Sequence, residues 1–344
     1  MPNLERPAEL GYRWPAEWEP HAATWMAWPH NRETWPGIFE RIPPQFARLV
    51  EVIAQSEPVH VLAGGERVMA DAKQHVGHLD NVTLHDIETN DAWTRDHGPT
   101  FLKGPDPAII DWQYNAWGGK YPPWDKDNAV PRQIAAELEL RRFTPGLVLE
   151  GGAIETNGAG TILTTKSCLL NPNRNPTMTK SVVGRYLHEY LGADHILWLD
   201  GGEIAGDDTN GHIDQLARFV NEDTIVAATE PDPADENFEP LQRILRQLRS
   251  LKSKSGSAFN IINLPTPRPI SHQGQRVPAS YANFYIANQC VIVPQFDDEA
   301  DKRILDVLTP LFPDREVVGQ TALDLAWGLG AFHCLTQQMP ASMT

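Results

Sequence analysis

Basic residues are scarce in this chain of 344 residues. It has 29 lysines and arginines against 45 aspartates and glutamates, which gives a formal net charge of −16. Nucleic acids and anionic membranes bind to basic faces, so this balance argues against both as partners. The acidic surplus suits a cationic small molecule, although acidity more often serves only solubility.

Cysteines and long apolar runs are also few. The three cysteines, Cys168, Cys290 and Cys334, are an odd number without a pairing pattern, which indicates a reducing compartment. The N-terminal residues lack the basic and apolar regions of a signal peptide, and no apolar run reaches membrane-spanning length. The sequence therefore predicts a cytoplasmic location.

The usual cofactor and metal motifs are missing. No GxGxxG or P-loop pattern opens a predicted helix, and the chain has no CxxC pair, HExxH motif or EF-hand loop. We therefore expect neither a cofactor nor a metal. An acidic cluster within residues 203–214 (Glu203, Asp207, Asp208, His212 and Asp214) nevertheless leaves a metal-dependent hydrolase open as an alternative of a different class.

Helical and strand-like segments alternate along the chain, which predicts an α/β or α+β fold. Apolar residues of 38–54 recur at helical spacing, and further helices are predicted at 66–76, 129–140, 179–191, 238–251 and 299–311. Strands are predicted at 22–28, 58–62, 82–87, 148–150, 161–165, 196–199, 216–220, 224–228, 260–264, 281–287 and 290–294. The length admits two domains or one large repetitive domain. An acid-Gly-Gly echo, at Glu150 and again at Asp200, hints weakly at a repeat whose strands end in this pattern.

The stretch from Gly206 to Asp214 combines three carboxylates with a histidine, just before the predicted strand 216–220. His212 and Asp214 are two residues apart, so in an extended segment they would point to the same side. An imidazole beside a carboxylate is a common general acid/base. An acidic surface turn explains the same residues about equally well.

Two other carboxylates stand next to informative neighbours. Asp96 lies three residues after Trp93, and a carboxylate beside an aromatic face suits a planar cation. An ion pair of Arg95 with an aspartate, capping a loop, is the explanation that this stretch alone favours. Glu150 precedes Gly151 and could orient a histidine, or it could be a charged strand end facing water.

Cys334 is the cysteine with unusual surroundings, because glycines and polar residues flank it. A thiol becomes a nucleophile when a nearby cation or histidine lowers its pKa. A lone cysteine is more often a small buried hydrophobe, and that interpretation fits Cys168 and Cys290, which lie in predicted apolar strands.

Taken together, these stretches resemble the agmatine deiminases, members of the guanidino-modifying superfamily that includes arginine deiminases and the bacterial peptidylarginine deiminase. The stretches that carry the resemblance are 15–21, 90–96, 98–101, 115–119, 149–152, 171–176, 208–214, 280–288 and 333–338. The resemblance implies a five-bladed α/β propeller (pentein) of ββαβ modules with pseudo-fivefold symmetry. It also implies a single domain over residues 1–344 and a homodimer.

The resemblance further implies that Cys334 is the nucleophile, His212 the general acid/base and Glu150 the acid supporting the histidine. Asp96 and Asp214 would hold the guanidinium, which is cationic at any relevant pH. Attack on the guanidinium carbon would release ammonia and leave a thiouronium on Cys334, which water then hydrolyses. The expected reaction converts agmatine to N-carbamoylputrescine and ammonia, in putrescine formation, without a cofactor.

The chain departs from the family pattern next to the nucleophile. Where the family commonly reads Gly-Gly-Gly-Asn-Ile-His-Cys, this chain reads Gly328-Leu-Gly-Ala-Phe-His-Cys334, and Gln215 replaces an asparagine. Another guanidino substrate, such as a peptidyl arginine, is therefore the alternative. An amidinotransferase or a non-catalytic guanidine binder would be further candidates. Trp93 and Asp208 are the residues expected to contact the rest of the substrate.

Overall fold

The structure is a computed structural model that describes residues 5–341. Its strands are β1 His21–Ala27, β2 Val59–Leu62, β3 Val82–His85, β4 Thr100–Leu102, β5 Ala108–Ile110, β6 Arg141–Phe143, β7 Ile154–Thr156, β8 Thr161–Thr165, β9 His195–Leu199, β10 Ala217–Phe219, β11 Thr224–Thr229, β12 Asn260–Pro265, β13 Ser271–His272, β14 Gln275–Arg276, β15 Tyr285–Ile286, β16 Cys290–Gln295, β17 Glu316–Thr321 and β18 Gln337–Pro340. Its helices are α1 Ile42–Ala54, α2 Glu66–Val76, α3 Thr94–His97, α4 Ala116–Gly119, α5 Val130–Glu137, α6 Lys166–Leu169, α7 Lys180–Leu191, α8 Phe238–Ser250 and α9 Ala300–Leu308.

Five sheets share one strand pattern. They are β18-β1-β2-β3, β4-β5-β6, β7-β8-β9, β10-β11-β12 and β15-β16-β17, and β13 pairs with β14 in a separate hairpin. In each of the five, the first two strands are antiparallel and the next pair is parallel. A parallel pair needs a crossover, and α1, α5, α7, α8 and α9 supply it in the five sheets. The fold is therefore mixed α/β, as the alternation predicts.

The first of these sheets joins the two ends of the chain. Strand β18 pairs with β1 so that Gln337 lies opposite Trp25 and Gln338 opposite Thr24. The segment that follows Cys334 is thus fixed to the first strand of the chain. Pairing between such distant segments holds the turn before β18 in place.

The helices form where apolar periodicity predicts them, and they bury the predicted side. In α1 the buried residues include Phe46, Leu49, Val50 and Ile53, at spacings of one helical turn or one residue. Helix α7 is capped at its start by Thr179, whose side chain accepts a hydrogen bond from the Val182 amide, and at its end by Gly192 with φ 71°. Burying each such aliphatic or aromatic side chain contributes about 1.5–3 kcal/mol.

Four sequence predictions about local structure are wrong. Residues 148–150 are not a strand: Val148 makes a single bridge with Gln113, and the chain turns at Gly151, where a Cβ would lie 2.2 Å from the Arg95 carbonyl oxygen. The two acid-Gly-Gly segments are not copies of one structural repeat. Glu150 is buried and precedes strand β7, whereas Asp200 is exposed and follows strand β9. Cys168 lies in the short helix α6 rather than in a strand.

The fourth error concerns residues 281–287, of which only Tyr285 and Ile286 form a strand. The preceding residues are buried without pairing, because the Ser280 hydroxyl holds a turn by donating to the Gln215 carbonyl and accepting from the Ala282 amide. Because this turn is buried on all sides, its sequence is as apolar as that of a buried strand.

Apolar clusters fill the space between the sheets and their helices. The largest contains residues from α1, β2, β16 and α9, and a second contains residues from β5, β8 and α7. Among the helices of residues 5–341, none is long and apolar enough to cross a membrane. Polar side chains are buried where the turns before the first strands meet, and they form the site described next.

Candidate active site

The turns that lead into the first strand of each of the five sheets all supply buried polar side chains. In chain order these are Asp96 before β4, Glu150 before β7, His212 and Asp214 before β10, Asn283 before β15, and Cys334 before β18. None of the six is more than 6 % exposed. Five separate segments of sequence therefore converge on one enclosed polar site.

Cys334 is held by Asn283 through two contacts. The Asn283 side-chain amide donates to Cys334 Sγ at 3.1 Å, and its carbonyl oxygen accepts from the Cys334 amide at 3.3 Å. Asp214 Oδ2 lies 3.4 Å from Sγ on another side. Burial, and then the charges of Asp214 and Asp96, raise the pKa of Cys334 well above its ordinary value, so the thiol is protonated in the free protein.

The turn before Cys334 shows why two glycines of the glycine-rich pattern are kept in this chain. A Cβ at Gly328 would lie 2.6 Å from the Trp35 indole and 2.9 Å from the Trp93 ring, and one at Gly330 would lie 2.5 Å from the Trp93 ring and 3.0 Å from Cys334 Cβ. Leu329, between them, has φ 72°, a backbone conformation that costs a residue with a side chain about 1–2 kcal/mol. The two glycines that this chain keeps are therefore the ones that lie against the indoles of Trp35 and Trp93.

His212 lies between two carboxylates, as the sequence indicates, although not in an extended segment. Residues Ile213–Gln215 form a 3-10 turn, so His212 and Asp214 reach the site from a turn. The Nδ1 atom of His212 is 3.7 Å from Asp96 Oδ1, and Nε2 is 3.7 Å from Glu150 Oε2. Burial disfavours the imidazolium, but Asp96, Cys168 and Glu150 outweigh it and raise the pKa of His212 well above its usual value.

Glu150 is ionised behind the histidine. It is fully buried, and the Nε of Arg174 donates to its Oε1 at 2.8 Å. Burial acts to raise the pKa of Glu150, but the contact with His212 and the charge of Arg174 lower it overall. Glu150 is therefore a charged partner of His212 rather than a strand end facing water.

Asp96 accepts two hydrogen bonds that fix its orientation. The indole Nε1 of Trp117 donates to Oδ2 at 2.9 Å, and the Gly152 amide donates to Oδ1 at 2.9 Å. Trp117 has φ 55°, a strained conformation for a bulky residue, and Asn115 closes its turn by accepting from the Gly118 amide. Burial raises the pKa of Asp96, partly offset by His212.

Gly152 marks the point at which the site residues meet. A Cβ there would lie 2.7 Å from His212 Nδ1, 2.8 Å from Asp96 Oδ1 and 3.0 Å from Asp214 Oδ2. Only a residue without a side chain allows these three groups to approach one another. The Nδ1 side of His212 thus faces the two aspartates, and its Nε2 side faces Glu150.

The remaining acids of 203–214 have other surroundings. Asp207 accepts from the amides of Thr209 and Gly211 and so shapes its own loop, and Glu203 is exposed. Asp208 lies near the protein surface. Its carboxylate accepts a hydrogen bond from the Tyr121 hydroxyl, and its backbone carbonyl accepts one from the Lys120 ammonium. Within the described range 5–341, the donors close enough to share a metal are instead Glu150, Cys168 and His212.

Comparison with known proteins decides the family. The family model of the Porphyromonas-type peptidyl-arginine deiminases matches residues 13–340. The chain belongs to this family.

Proteins named agmatine deiminase align with this chain over nearly its whole length. A Legionella pneumophila protein provisionally named agmatine deiminase is 38 % identical, over 98 % of this chain and 97 % of the relative. The solved agmatine deiminase of Enterococcus faecalis is 30 % identical, covers 98 % of both chains and has a TM-score of 0.92. The C. jejuni agmatine deiminase, solved as a Cys-to-Ser variant with substrate bound, is 31 % identical over 97 % of both chains, with a TM-score of 0.89.

A second set of charges lies directly behind the deiminase site. His333 Nδ1 is 2.8 Å from Asp214 Oδ2, and its Nε2 is 2.9 Å from Glu17 Oε2, so the ring links the two carboxylates. Glu17 also pairs with Arg218 at 2.9 Å and with Arg95 at 3.4 Å. Arg95 therefore does not form the ion pair with an aspartate that the sequence left open.

Sequence reasoning assigned no role to Asn283, Trp117, Glu17 or His333. Asn283 and Trp117 fall within stretches that carry the family resemblance, but amide and indole groups do not titrate and so give no acid/base signal. The position of Asn283 before a first strand, like that of Asp96 and Glu150, is the sequence feature that could have found it. Glu17 and His333 are 316 residues apart, and no local pattern connects them.

Proposed function

We propose that this protein hydrolyses agmatine to N-carbamoylputrescine and ammonia, a step toward putrescine. The observation that carries the proposal is the thiol of Cys334, held by Asn283 and lying 3.4 Å from Asp214 within a buried group of three carboxylates and a histidine. The similarity to proteins named agmatine deiminase, one solved with substrate, supports the same reaction.

Substrate binding follows from charge. Asp96 and Asp214 are our candidates to hold the guanidinium, because two carboxylates can bond its planar N–H groups and balance its charge. A bound cation would also offset the negative charges that raise the pKa of Cys334. The thiol would then lose its proton only when substrate is present, with Asp214 Oδ2 the nearest acceptor.

The chemical steps balance without a cofactor. The thiolate of Cys334 attacks the guanidinium carbon, and protonated His212 gives its proton to the departing nitrogen, which leaves as ammonia. A thiouronium remains on Sγ. Neutral His212 then takes a proton from water, whose oxygen attacks the same carbon. The C–S bond breaks as the remaining hydroxyl proton of the adduct passes to Sγ, which releases the ureido product and restores the thiol. The proton that Asp214 took from the thiol passes to ammonia, which departs as ammonium. Glu150 orients His212 throughout through Nε2.

A five-bladed α/β propeller with pseudo-fivefold symmetry is our proposal for the arrangement of the five sheets, within a single domain of residues 1–344. Three observations support it: the sheets share one strand pattern, β18 pairs with β1 from the opposite end of the chain, and each first strand is preceded by a turn that reaches the site.

The far end of the substrate is assigned to Trp93 and Asp208. The Trp93 ring packs beside Gly330 and Cys334, where it could cover an aliphatic chain. Asp208, near the surface, carries a carboxylate for a terminal ammonium. A peptidyl arginine remains the alternative substrate, since the matched family is described by that activity. A homodimer is a further proposal, and a cytoplasmic location is supported by the three free cysteines.

The deciding experiment measures ureido product and ammonia with agmatine, free arginine and arginyl peptides as separate substrates, with Cys334→Ser as the inactive control. We expect turnover of agmatine at the highest kcat/KM. Turnover of arginine or peptides without turnover of agmatine would contradict the substrate assignment. Activity in Cys334→Ser that is lost with a chelator would favour the metal-dependent hydrolase instead.

A further inference from the structure

A group of three metal-binding side chains lies on the side of His212 that faces away from the two aspartates. Glu150, Cys168 and His212 each offer one donor atom, and these atoms lie within 4.8 Å of one another. All three residues are at most 1 % exposed. The mechanism above uses Glu150 and His212 but gives no role to the thiol of Cys168.

The donor atoms are available and suitably spaced. Arg174 occupies Oε1 of Glu150 and leaves Oε2, which is 3.7 Å from His212 Nε2 and 3.8 Å from Cys168 Sγ. Bonds of about 2.0–2.3 Å to a tetrahedral metal place neighbouring ligands roughly 3.3–3.7 Å apart, so small movements close the site. The Nε2 atom of His212 is buried and has no hydrogen-bond partner.

The local backbone aims Cys168 at this group. Helix α6 begins after Thr165, whose hydroxyl accepts from the Cys168 amide and fixes the first turn. The same Thr165 hydroxyl donates to the carbonyl of Gly211, the residue before His212. The segments that carry Cys168 and His212 are therefore tied together beside the donor atoms.

The donor set selects the kind of ion. A thiolate, an imidazole and a carboxylate suit Zn²⁺, whereas Mg²⁺ and Ca²⁺ prefer six or more oxygens. Three protein ligands leave a fourth position for water. We propose that Glu150, Cys168 and His212 form a Zn²⁺ site and that Zn²⁺ bound there inhibits the enzyme.

The inhibition, though not the binding, rests on the proposed function. With Zn²⁺ on Nε2, His212 has only Nδ1 left for a proton and cannot become the doubly protonated acid that releases ammonia. Zn²⁺ would also lie between the Glu150 carboxylate and Nε2 and replace their direct ion pair. His212 therefore cannot bind Zn²⁺ through Nε2 and, at the same time, act as the protonated acid on the side of Asp96 and Asp214.

Cobalt reports the binding without any substrate. Co²⁺ titrated into the metal-free protein should produce a thiolate-to-cobalt charge-transfer absorption in the wild type and in Cys290→Ala and Cys334→Ala. Cys290, in β16, is the matched control for Cys168, because its thiol is also buried and its side-chain contact is the hydroxyl of Ser56. The absorption should be lost in Cys168→Ala and in Cys168→Ser, which keeps the side-chain volume and guards against a packing defect.

Zinc then reports the consequence. In each active variant the ureido assay is repeated with added Zn²⁺ and scaled to that variant's own metal-free rate. Loss of Cys168 should weaken inhibition by more than about 100-fold, since even outer-sphere partners of a metal cost about 10–100-fold in affinity. An absorption that is absent from the wild type, persists without Cys168 or disappears without Cys334 would overturn the proposal. A protein inactive on every guanidine but showing the Cys168-dependent absorption would refute the proposed function alone.

Discussion

Asn283 contacts Cys334 on both its side chain and its backbone, through an amide nitrogen 3.1 Å from Sγ and a carbonyl oxygen 3.3 Å from the Cys334 amide nitrogen. The carbonyl oxygen also accepts from the Ala331 amide at 3.1 Å. One side chain thus shapes the turn before the cysteine and supplies a donor to its sulfur. A thiolate there gains from that donor more than a thiol does.

Replacing Asn283 with alanine should lower kcat by about 10²–10³-fold, the usual cost of removing one donor to a developing anion. Asn283→Asp keeps the acceptor oxygen but places an anion beside the sulfur, and should be at least as slow. Asn288→Ala is the control, because the Asn288 side chain bonds the amide and the carbonyl of His21, away from the cysteine. Equal losses of kcat in the two alanine variants would show a general folding defect instead.

Activity should depend on the absence of a side chain at residue 152, as it does on the functional groups of the site. In Gly152→Ala the new Cβ would overlap His212 Nδ1 and Asp96 Oδ1, and we expect kcat/KM to fall by about 10²-fold or more because site groups must move. Gly184→Ala is matched, since the nearest atom to its Cβ is an Ile196 methyl at an ordinary 3.5 Å. Unchanged kinetics in Gly152→Ala would show that the site is more open than its geometry indicates.

How much of this site is readable from sequence depends on the kind of residue. His212, Asp214 and Cys334 can be proposed because their side chains titrate, and because an ordered series of matching stretches supports them. The helical spacing of Phe46 and Leu49 is likewise decided locally by amphipathic burial. Asn283 and Trp117 act by hydrogen bonds to Cys334 and Asp96, which lie 51 and 21 residues away, so the residues around them do not show which group each one bonds.

The indole of Trp117 should tune the charge of Asp96. Its hydrogen bond lowers the pKa of a carboxyl that burial raises, so Trp117→Phe should raise that pKa further. Asp96 would then become ionised only at higher pH, so the acidic limb of the pH profile of kcat/KM should move to higher pH.

Trp112→Phe is the matched control for that experiment. Trp112 is buried, but its indole donates to the neutral hydroxyl of Thr100 at 3.0 Å. Its pH profile should keep the wild-type acidic limb. An identical shift in both variants would mean that loss of a buried indole, rather than the bond to Asp96, moves the profile.

Alkylation should reveal a protonated thiol in the free enzyme. Because burial and the nearby aspartates raise the pKa of Cys334, its reaction with iodoacetamide should accelerate with pH to beyond about 8.5 without a plateau near neutrality. Asp214→Asn removes a negative charge beside the sulfur, so the midpoint should move to lower pH while turnover is lost. Asp208→Asn, on the outer loop, should leave the midpoint unchanged, and mass spectrometry of the Cys334 peptide identifies the modified thiol.

The charges behind the site should set the stability of the fold in acid. Burial acts to raise the pKa of Glu17, but Arg218, His333 and Arg95 lower it well below its usual range. A depressed pKa gives stability that is present above the unfolded-state value of about 4.3 and is lost as pH falls through the folded-state value. Glu17→Gln leaves Arg218 and His333 short of a buried partner, which should lower the free energy of unfolding at pH 7 by about 3–5 kcal/mol.

Urea unfolding of the wild type and Glu17→Gln at a series of pH values tests this coupling. The difference between them should be constant above about pH 4.3 and should shrink in more acidic solution, where the wild-type carboxylate takes up a proton. Glu9→Gln is the control: Glu9 pairs with Arg6 on the surface, with 68 % of its side chain exposed, and such pairs contribute about 0–1 kcal/mol. A Glu17→Gln deficit that stays constant through the acidic range would mean that Glu17 stabilises the protein by packing and not by its charge.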